Sequence, residues 1–267
     1  MISQLFMAKS ALSAYQRKMQ VVVNNISNAQ TVGYKRRSVE MESLFPLVFE
    51  SVINDGDEST AGTSRSRKRY LEYGQGVRVA DIRKDMSPGS IEVTNQDLDM
   101  AIDGAGLFQL RLSDGTVAYG RAGNFHADPD GNVVDPNGNP LEPNLKLPRE
   151  YSDVIINEEG KVFVQSNGDP NPREIGQVTL AIFPNPAGLK DIGQNLYVQT
   201  AASGDPSFQI PGRGLAGSLR QRALEFSNVN VIEEMMNMVL TQRAFDLTIK
   251  SINSGDQMLK SGSDLGK

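Results

Sequence analysis

A chain of 267 residues with 39% apolar side chains has ample area for a core and room for one large domain or two modest ones. With no cysteine and a single histidine, it excludes disulfides, thiolate metal sites, thiol nucleophiles and any site that needs two histidines. A net charge of −5 gives no general attraction to nucleic acid or anionic membrane, and no apolar run approaches the roughly 20 residues of a bilayer span.

The opening Met1–Ser10 is charged only at Lys9 and lacks the basic start and small-residue cleavage site of a secretory signal. Any export is therefore expected to leave the N-terminus intact. From there, apolar or helix-compatible residues recur at Leu5, Ala8, Leu12, Tyr15, Met19, Val22 and Ile26. Steps alternating between three and four predict an amphipathic helix over 2–28, about 40 Å long at the usual helical rise, with a heptad seam. Asn24, Asn25, Ser27, Asn28, Thr31 and Gly33 predict its end and a turn, because asparagine and glycine tolerate the left-handed conformation.

Residues 31–80 read as an extended arm. A charged and apolar mixture from Tyr34 to Ile53 runs into Asn54-Asp55-Gly56-Asp57-Glu58, a Ser/Thr/Gly stretch, and the basic residues Arg65, Arg67, Lys68 and Arg69. A polar, mobile tip is expected there. The basic run could grip phosphates, but a short run in an acidic chain is more often a solvated loop face. A third reading pairs it with Asp55, Asp57 and Glu58 of a neighbouring subunit.

Residues 81–227 carry the β signal. Short alternating runs, among them Val77–Ile82 at the arm's end and Phe108–Leu112, are divided by turn chemistry at Ser113-Asp114-Gly115, Asp128–Asn132, Asn137-Gly138-Asn139, Glu158-Glu159-Gly160 and Asn167-Gly168-Asp169. This predicts an irregular antiparallel domain, with prolines over 129–186 arguing against any long helix. A bridge with Gly212, Gly214 and Gly217 leads to Ser227-Asn228, a candidate cap for a last helix starting near Asn230. That helix is expected to reach about Lys260, with Glu233 and Glu234 in its first turn. Its heptad seam runs through Val231, Met235, Met238, Gln242, Phe245, Ile249, Ile252 and Leu259. The whole reads as an α+β chain in which 1–30 and 228–267 form a coiled-coil pair.

One seam on one helix cannot bury itself in water. Two seams at opposite ends imply pairing with each other, with neighbouring chains, or with both. The polar and charged Gln4, Lys9, Gln16, Arg17, Lys18 and Gln20 leave the first helix only a narrow apolar stripe. Met235, Met236 and Met238 adapt to irregular partners. Assembly is favoured over two core helices of a monomer.

Catalytic and cofactor motifs fare worse. Asp128-Pro129-Asp130-Gly131-Asn132 opens like a calcium loop, but the twelfth position, where a ligand glutamate is needed, is Asn139 and the flanks are strands; a β-turn is the better reading. His126 has no nearby nucleophile elbow and is assigned no role. Gly104-Ala105-Gly106 leads into a strand and not a helix, the wrong context for a dinucleotide loop, and Gly74-Gln75-Gly76 is as weak. No catalytic residue, metal ligand, cofactor or small-molecule substrate is assigned.

Asn24-Asn25-Ile26-Ser27-Asn28-Ala29-Gln30-Thr31-Val32-Gly33-Tyr34-Lys35-Arg36 closely resembles the N-terminal signature of bacterial flagellar rod and hook proteins. Ser227–Val231, Glu233-Glu234, Asn237-Met238, Gln242–Phe245 and Asp256–Leu259 resemble that family's C-terminal signature. Asp99–Gly104, Tyr119–Phe125 and Gly193–Tyr197 are similar to the β domain of its rod members. The resemblance covers nearly the whole chain and is strongest to the distal rod, with proximal rod or hook-type axial proteins as the alternative. It implies a structural, non-enzymatic subunit of a homopolymer in the basal body, in contact with other rod and hook proteins, the flagellar export apparatus and the surrounding rings. It places Leu5, Leu12, Tyr15, Met19, Val22, Ile26, Met235, Met238, Gln242, Phe245, Ile249 and Ile252 in the inner tube. Asn24, Asn25, Asn28, Gly33, Asn228 and Asn230 then fall where tube meets body, and Arg65, Arg67, Lys68 and Arg69 on an inter-subunit arm. The rival class is a secreted β-rich enzyme or carbohydrate-binding module on a coiled-coil stalk, which needs convergent carboxylates in a cleft.

Overall fold

The structure is a computed structural model that describes residues 2–53, 67–148, 151–166 and 171–264. Two long helices bracket a succession of antiparallel strands, an α+β fold. The chain divides into two compact units, one of Met1–Val23, Ser38–Arg83 and Met235–Lys267, the other of Asn24–Arg37 and Lys84–Glu234.

In the first unit, helix α1 (Ile2–Ser27) buries Ala14 and Val22 and half-buries Met7, Ser10 and Ala11. This inward stripe lies more than a third of a turn around the helix from Leu5, Leu12 and Met19. Its small side chains permit close approach. A Cβ at Gly76 would collide with Ser10 Oγ and come within 3.2 Å of Met7 Cα. Ser10 Oγ donates to Met7 O at 2.8 Å and accepts from Val77 N at 3.3 Å, so one hydroxyl joins the helix to the chain that passes it.

That chain belongs to a ribbon. Strand β1 (Arg37–Ser43) pairs with β4 (Val77–Lys84), and between them β2 (Leu47–Ile53) and β3 (Arg67–Tyr73) run antiparallel in register from Leu47↔Tyr73 to Ile53↔Arg67. The expected loop position of Arg67, Lys68 and Arg69 is thereby corrected: they are ladder residues of β3. Arg65 and the tip acids lie outside the described residues.

The second unit holds the remaining strands. These are β5 (Ile91–Val93), β6 (Met100–Asp103), β7 (Phe108–Arg111), β8 (Val117–Gly120), β9 (His126–Ala127), β10 (Val133–Val134) and β11 (Leu141–Glu142). They continue as β12 (Asp153–Ile156), β13 (Lys161–Gln165), β14 (Arg173–Gln177), β15 (Leu180–Ile182), β16 (Lys190–Gly193) and β17 (Leu196–Val198). The last are β18 (Ser207–Gln209), β19 (Ser218–Gln221) and β20 (Ala223–Glu225), before helix α2 (Val231–Asp264). A five-stranded sheet in the order β11-β7-β8-β17-β16 and a three-stranded sheet β12-β13-β14 are the largest layers, and β19 and β20 return to pair with β6 and β5.

Alternation aims one face of each strand inward. Met100, Ile102, Phe108, Leu110, Leu141, Val154, Val162, Leu180 and Leu219 form the main core, with Phe108 and Phe125 edge to face at 5.2 Å. Four hairpin turns share one design, a glycine in its fourth position at φ near +80°: Gly115, Gly131, Gly138 and Gly160. Asp128 closes one of them. Its Oδ1 accepts from Asp130 N at 2.9 Å and Asn132 N at 2.7 Å, and its Oδ2 from Asn132 Nδ2 at 2.8 Å, so the carboxylate organises a turn. Asp135 repeats the arrangement with Asn137 and Asn139.

Candidate assembly site at the helix roots

Within the second unit, the last turn of α1 and the first turn of α2 meet at a buried polar cluster. Asn25 is fully buried, and its side chain acts as a short strand. Oδ1 accepts from Arg37 N at 3.0 Å while Nδ2 donates to Arg37 O at 2.8 Å, the two-bond exchange of a ladder pair made by an amide. The amide also donates to Glu234 Oε2 at 3.1 Å. Tyr34, whose hydroxyl burial pushes to a higher pKa, stays protonated and donates to Asn24 Oδ1 at 2.8 Å and Asn25 Oδ1 at 3.1 Å.

Arg36 completes the cluster. Its Nε meets Glu234 Oε1 at 2.8 Å, its Nη2 meets Glu233 Oε1 at 2.7 Å, and its backbone N donates to Asn228 Oδ1 at 2.7 Å. Asn228 Nδ2 in turn donates to the carbonyls of Asp85 and Ser87. The helix cap therefore falls to Asn230, whose Oδ1 accepts from Ile232 N and Glu233 N at 3.1 and 3.3 Å. This corrects the expected Ser227-Asn228 cap: Asn228 is engaged by the incoming chain instead.

Behind it lies a second buried charge. Glu225 accepts from Lys35 Nζ and Gly89 N on Oε1, at 2.7 and 2.9 Å, and from Arg121 Nε on Oε2. Burial alone would raise its carboxyl; the opposing pull of Arg121 and then Lys35 outweighs that and holds it below the usual carboxylate range. Arg121 uses its remaining donors on the carbonyls of Ile102, Gly104 and Gly106, which is the work of the Gly104-Ala105-Gly106 stretch. Gly33, at φ +69°, presses its backbone against Arg121 and Ala122 and donates to Glu225 O at 2.9 Å. Arg37 and Lys84 share Asp191 at 2.7 and 3.2 Å.

The residues expected at the junction thus gather: Asn24, exposed overall, joins through its Oδ1 to the Tyr34 hydroxyl, and Asn28 closes the turn through Asn24 O and Thr31. Tyr34, Lys35, Arg36, Arg121, Glu225 and Glu234 were not expected to act as a group. The signal was weak: Glu234 looks like a first-turn acid that complements the helix dipole, and Arg121 and Glu225 lie in strand-like surroundings.

The seam residues divide. In the described chain Val22 is buried, while Leu12, Tyr15, Met19, Ile26, Met238, Phe245 and Ile252 are half-buried. Leu5, Val231, Met235, Gln242 and Ile249 are exposed, Met235 at 52%. On α2 the inward stripe centres on Thr241, buried, with Thr248 half-buried; their hydroxyls donate to the carbonyls four residues back. Ile232, Met236, Val239, Leu240 and Leu247 lie exposed on other sides of the helix. Among the described residues, no group of three or more histidine, aspartate or glutamate side chains gathers where a metal could sit.

Three family models match the chain: flagella basal body rod protein over residues 5–35, flagellar hook protein FlgE/F/G D1 domain over 101–164, and flagellar basal body rod FlgEFG protein C-terminal over 220–265. A flagellar basal-body rod protein FlgG of Buchnera aphidicola subsp. Schizaphis graminum is 39% identical over 265 residues, which is 99% of this chain and 100% of the relative. FlgG of Borreliella burgdorferi is 36% identical over 267 residues, 99% of both chains. FlgG of Bacillus subtilis is 33% identical over 265 residues, 97% of both. The two terminal models cover the part of the buried cluster from Asn25 to Lys35 and from Glu225 to Glu234.

Proposed function

Since the chain belongs to the flagellar basal-body rod protein family and is a structural subunit of the distal rod, we propose that it polymerises through its terminal helices into a hollow helical shaft that carries torque from motor to hook. In this reading 1–30 and 228–267 form the inner tube as a coiled-coil pair, 81–227 is the outer body, and the 31–80 arm lies along a neighbour. Leu5, Leu12, Tyr15, Met19, Val22, Ile26, Met235, Met238, Gln242, Phe245, Ile249 and Ile252 make the tube contacts.

One observation carries the proposal: α2 is apolar on more than one side, yet Met235 and Leu247 stand 52% and 64% exposed in the single chain. A helix that is apolar around most of its circumference requires burial on several sides. Each such side chain withdrawn from water by a neighbour contributes about 1–2 kcal/mol, repeated at every subunit of the lattice. The cysteine-free composition suits a chain that crosses the envelope unfolded through the export apparatus, with no cleaved signal and no disulfide to form on arrival. Other rod and hook proteins at its two ends, and ring proteins around it, are its partners.

Electron microscopy of the concentrated full-length chain beside one trimmed to residues 24–234 tests the reading. Uniform hollow tubes are expected from the full-length chain alone. Tubes from the trimmed chain, or their absence from the full-length one with and without isolated basal bodies as seeds, would overturn it. Mass spectrometry of the subunit taken from basal bodies should find the N-terminal peptide intact.

A further inference from the structure

Glu234 is 2% exposed, and both side chains that reach its carboxylate are donors: Arg36 Nε at 2.8 Å on Oε1 and Asn25 Nδ2 at 3.1 Å on Oε2. The Asn25 amide cannot turn round, because Arg37 N and Tyr34 OH hold its oxygen and Arg37 O holds its nitrogen. The slot therefore takes only a side chain that accepts on both arms, and glutamine, which must present one N–H₂, cannot satisfy it. A buried carboxylate adds little stability over a well-packed apolar residue, and its clearest use is to specify a single arrangement. Here it joins the last turn of α1, the start of β1 and the first turn of α2. Glu233, the next residue toward the N-terminus, reaches the same guanidinium from solvent and is 49% exposed at its side chain, a built-in control.

We propose that Glu234 is the positioning residue for assembly: its carboxylate holds the root of α2 to the root of α1 in the single chain, so that the helices are presented in one arrangement before any neighbour arrives. The proposal rests on the reading that the chain polymerises through these helices, and it adds that the arrangement is set inside the subunit and not by the lattice.

The test uses the full-length chain, wild type beside Glu234→Gln and Glu233→Gln. Hydrogen exchange reads the amides of Arg37 and of position 234, and those of Phe108, Leu110 and Val162 as a core reference. Turbidity and electron microscopy then follow polymer growth. Loss of one hydrogen bond to a buried charge predicts about tenfold or greater acceleration of exchange at the two root amides in Glu234→Gln, with the core amides unchanged. If the competent arrangement falls tenfold in population, polymer growth slows by about the same factor. Glu233→Gln should match wild type within about twofold, as expected for an exposed pair.

Unchanged exchange at the root amides in Glu234→Gln, or growth at the wild-type rate despite faster exchange, would overturn the proposal. Should Glu234→Gln also strip protection from the core strands, Arg36→Met replaces it under the same criteria, because it removes the donors and brings no new one. Failure of the wild type to polymerise would sink the rod-assembly reading and the proposal together. Equal polymer from wild type and Glu234→Gln would sink the positioning role alone.

Discussion

Asn25 Nδ2 lies 3.1 Å from Glu234 Oε2 although 209 positions separate the two residues. The strand-rich body between them is thereby closed by its own two ends. Closure over so long a loop carries a large entropic cost before the contact returns anything, so it belongs late in folding.

Acid should loosen the junction. The Glu225 carboxyl is held below its ordinary 4.5 by Arg121 and Lys35 against the effect of burial. A depressed folded-state value means that the contribution is present above about pH 4.5 and is lost as pH falls through the lowered value. Thermal unfolding of the second unit followed from pH 7 to pH 3 should fall in that window, and Glu225→Gln should flatten the dependence. It should also lose about 3–5 kcal/mol at pH 7, because two buried cations lose their partner. An equally steep acid dependence in Glu225→Gln would refute the assignment.

Gly33→Ala should be costly. At φ +69° an added Cβ would sit 2.5 Å from Ala122 N, against backbone that cannot swing aside. Left-handed strain plus overpacking predicts a loss of about 2–4 kcal/mol in urea unfolding. A loss below 1 kcal/mol would mean that the 31–34 segment lifts off without consequence.

Met235→Asp separates stability from assembly. The side chain is 52% exposed, so the monomer should keep its unfolding midpoint, with a change within about 0.5 kcal/mol. Burying the new charge in a tube contact would cost about 3 kcal/mol, roughly a hundredfold in the concentration needed for polymer. Polymer at the wild-type concentration would place this face in water.

The ribbon allows a clean test of the arm. Because Ile53 pairs with Arg67, replacing 54–66 by Asn-Gly leaves the Leu47–Tyr73 ladder able to close through a two-residue turn. Tubes of this variant should form at normal yield but bend more easily, measured as a shorter persistence length in micrographs. Unaltered stiffness would remove the tip from the locking role.

Much of the local architecture was legible in the residues. Steps of three and four marked both helices to within a few positions of Ile2–Ser27 and Val231–Asp264, and glycine four places into each turn marked the hairpins at Gly115, Gly131, Gly138 and Gly160. The terminal signatures were readable as motifs. What they do to each other was not, since nothing in the spacing of Arg36 or Glu225 announces a partner nearly two hundred positions away.

Helix lengths, turn positions, the β character of the body and the absence of cysteine chemistry follow from local sterics and side-chain type, so they could be read from the residues alone. Which stripe of each helix turns inward, Ala14 and Val22 on α1 and Thr241 on α2, with Leu5, Met235 and Ile249 left exposed, is set by packing in the folded chain. A helix with apolar residues on several sides has several faces it could bury. The choice falls to whichever neighbour packs closest, here a glycine pressed on Ser10 and a carboxylate caught between Asn25 and Arg36.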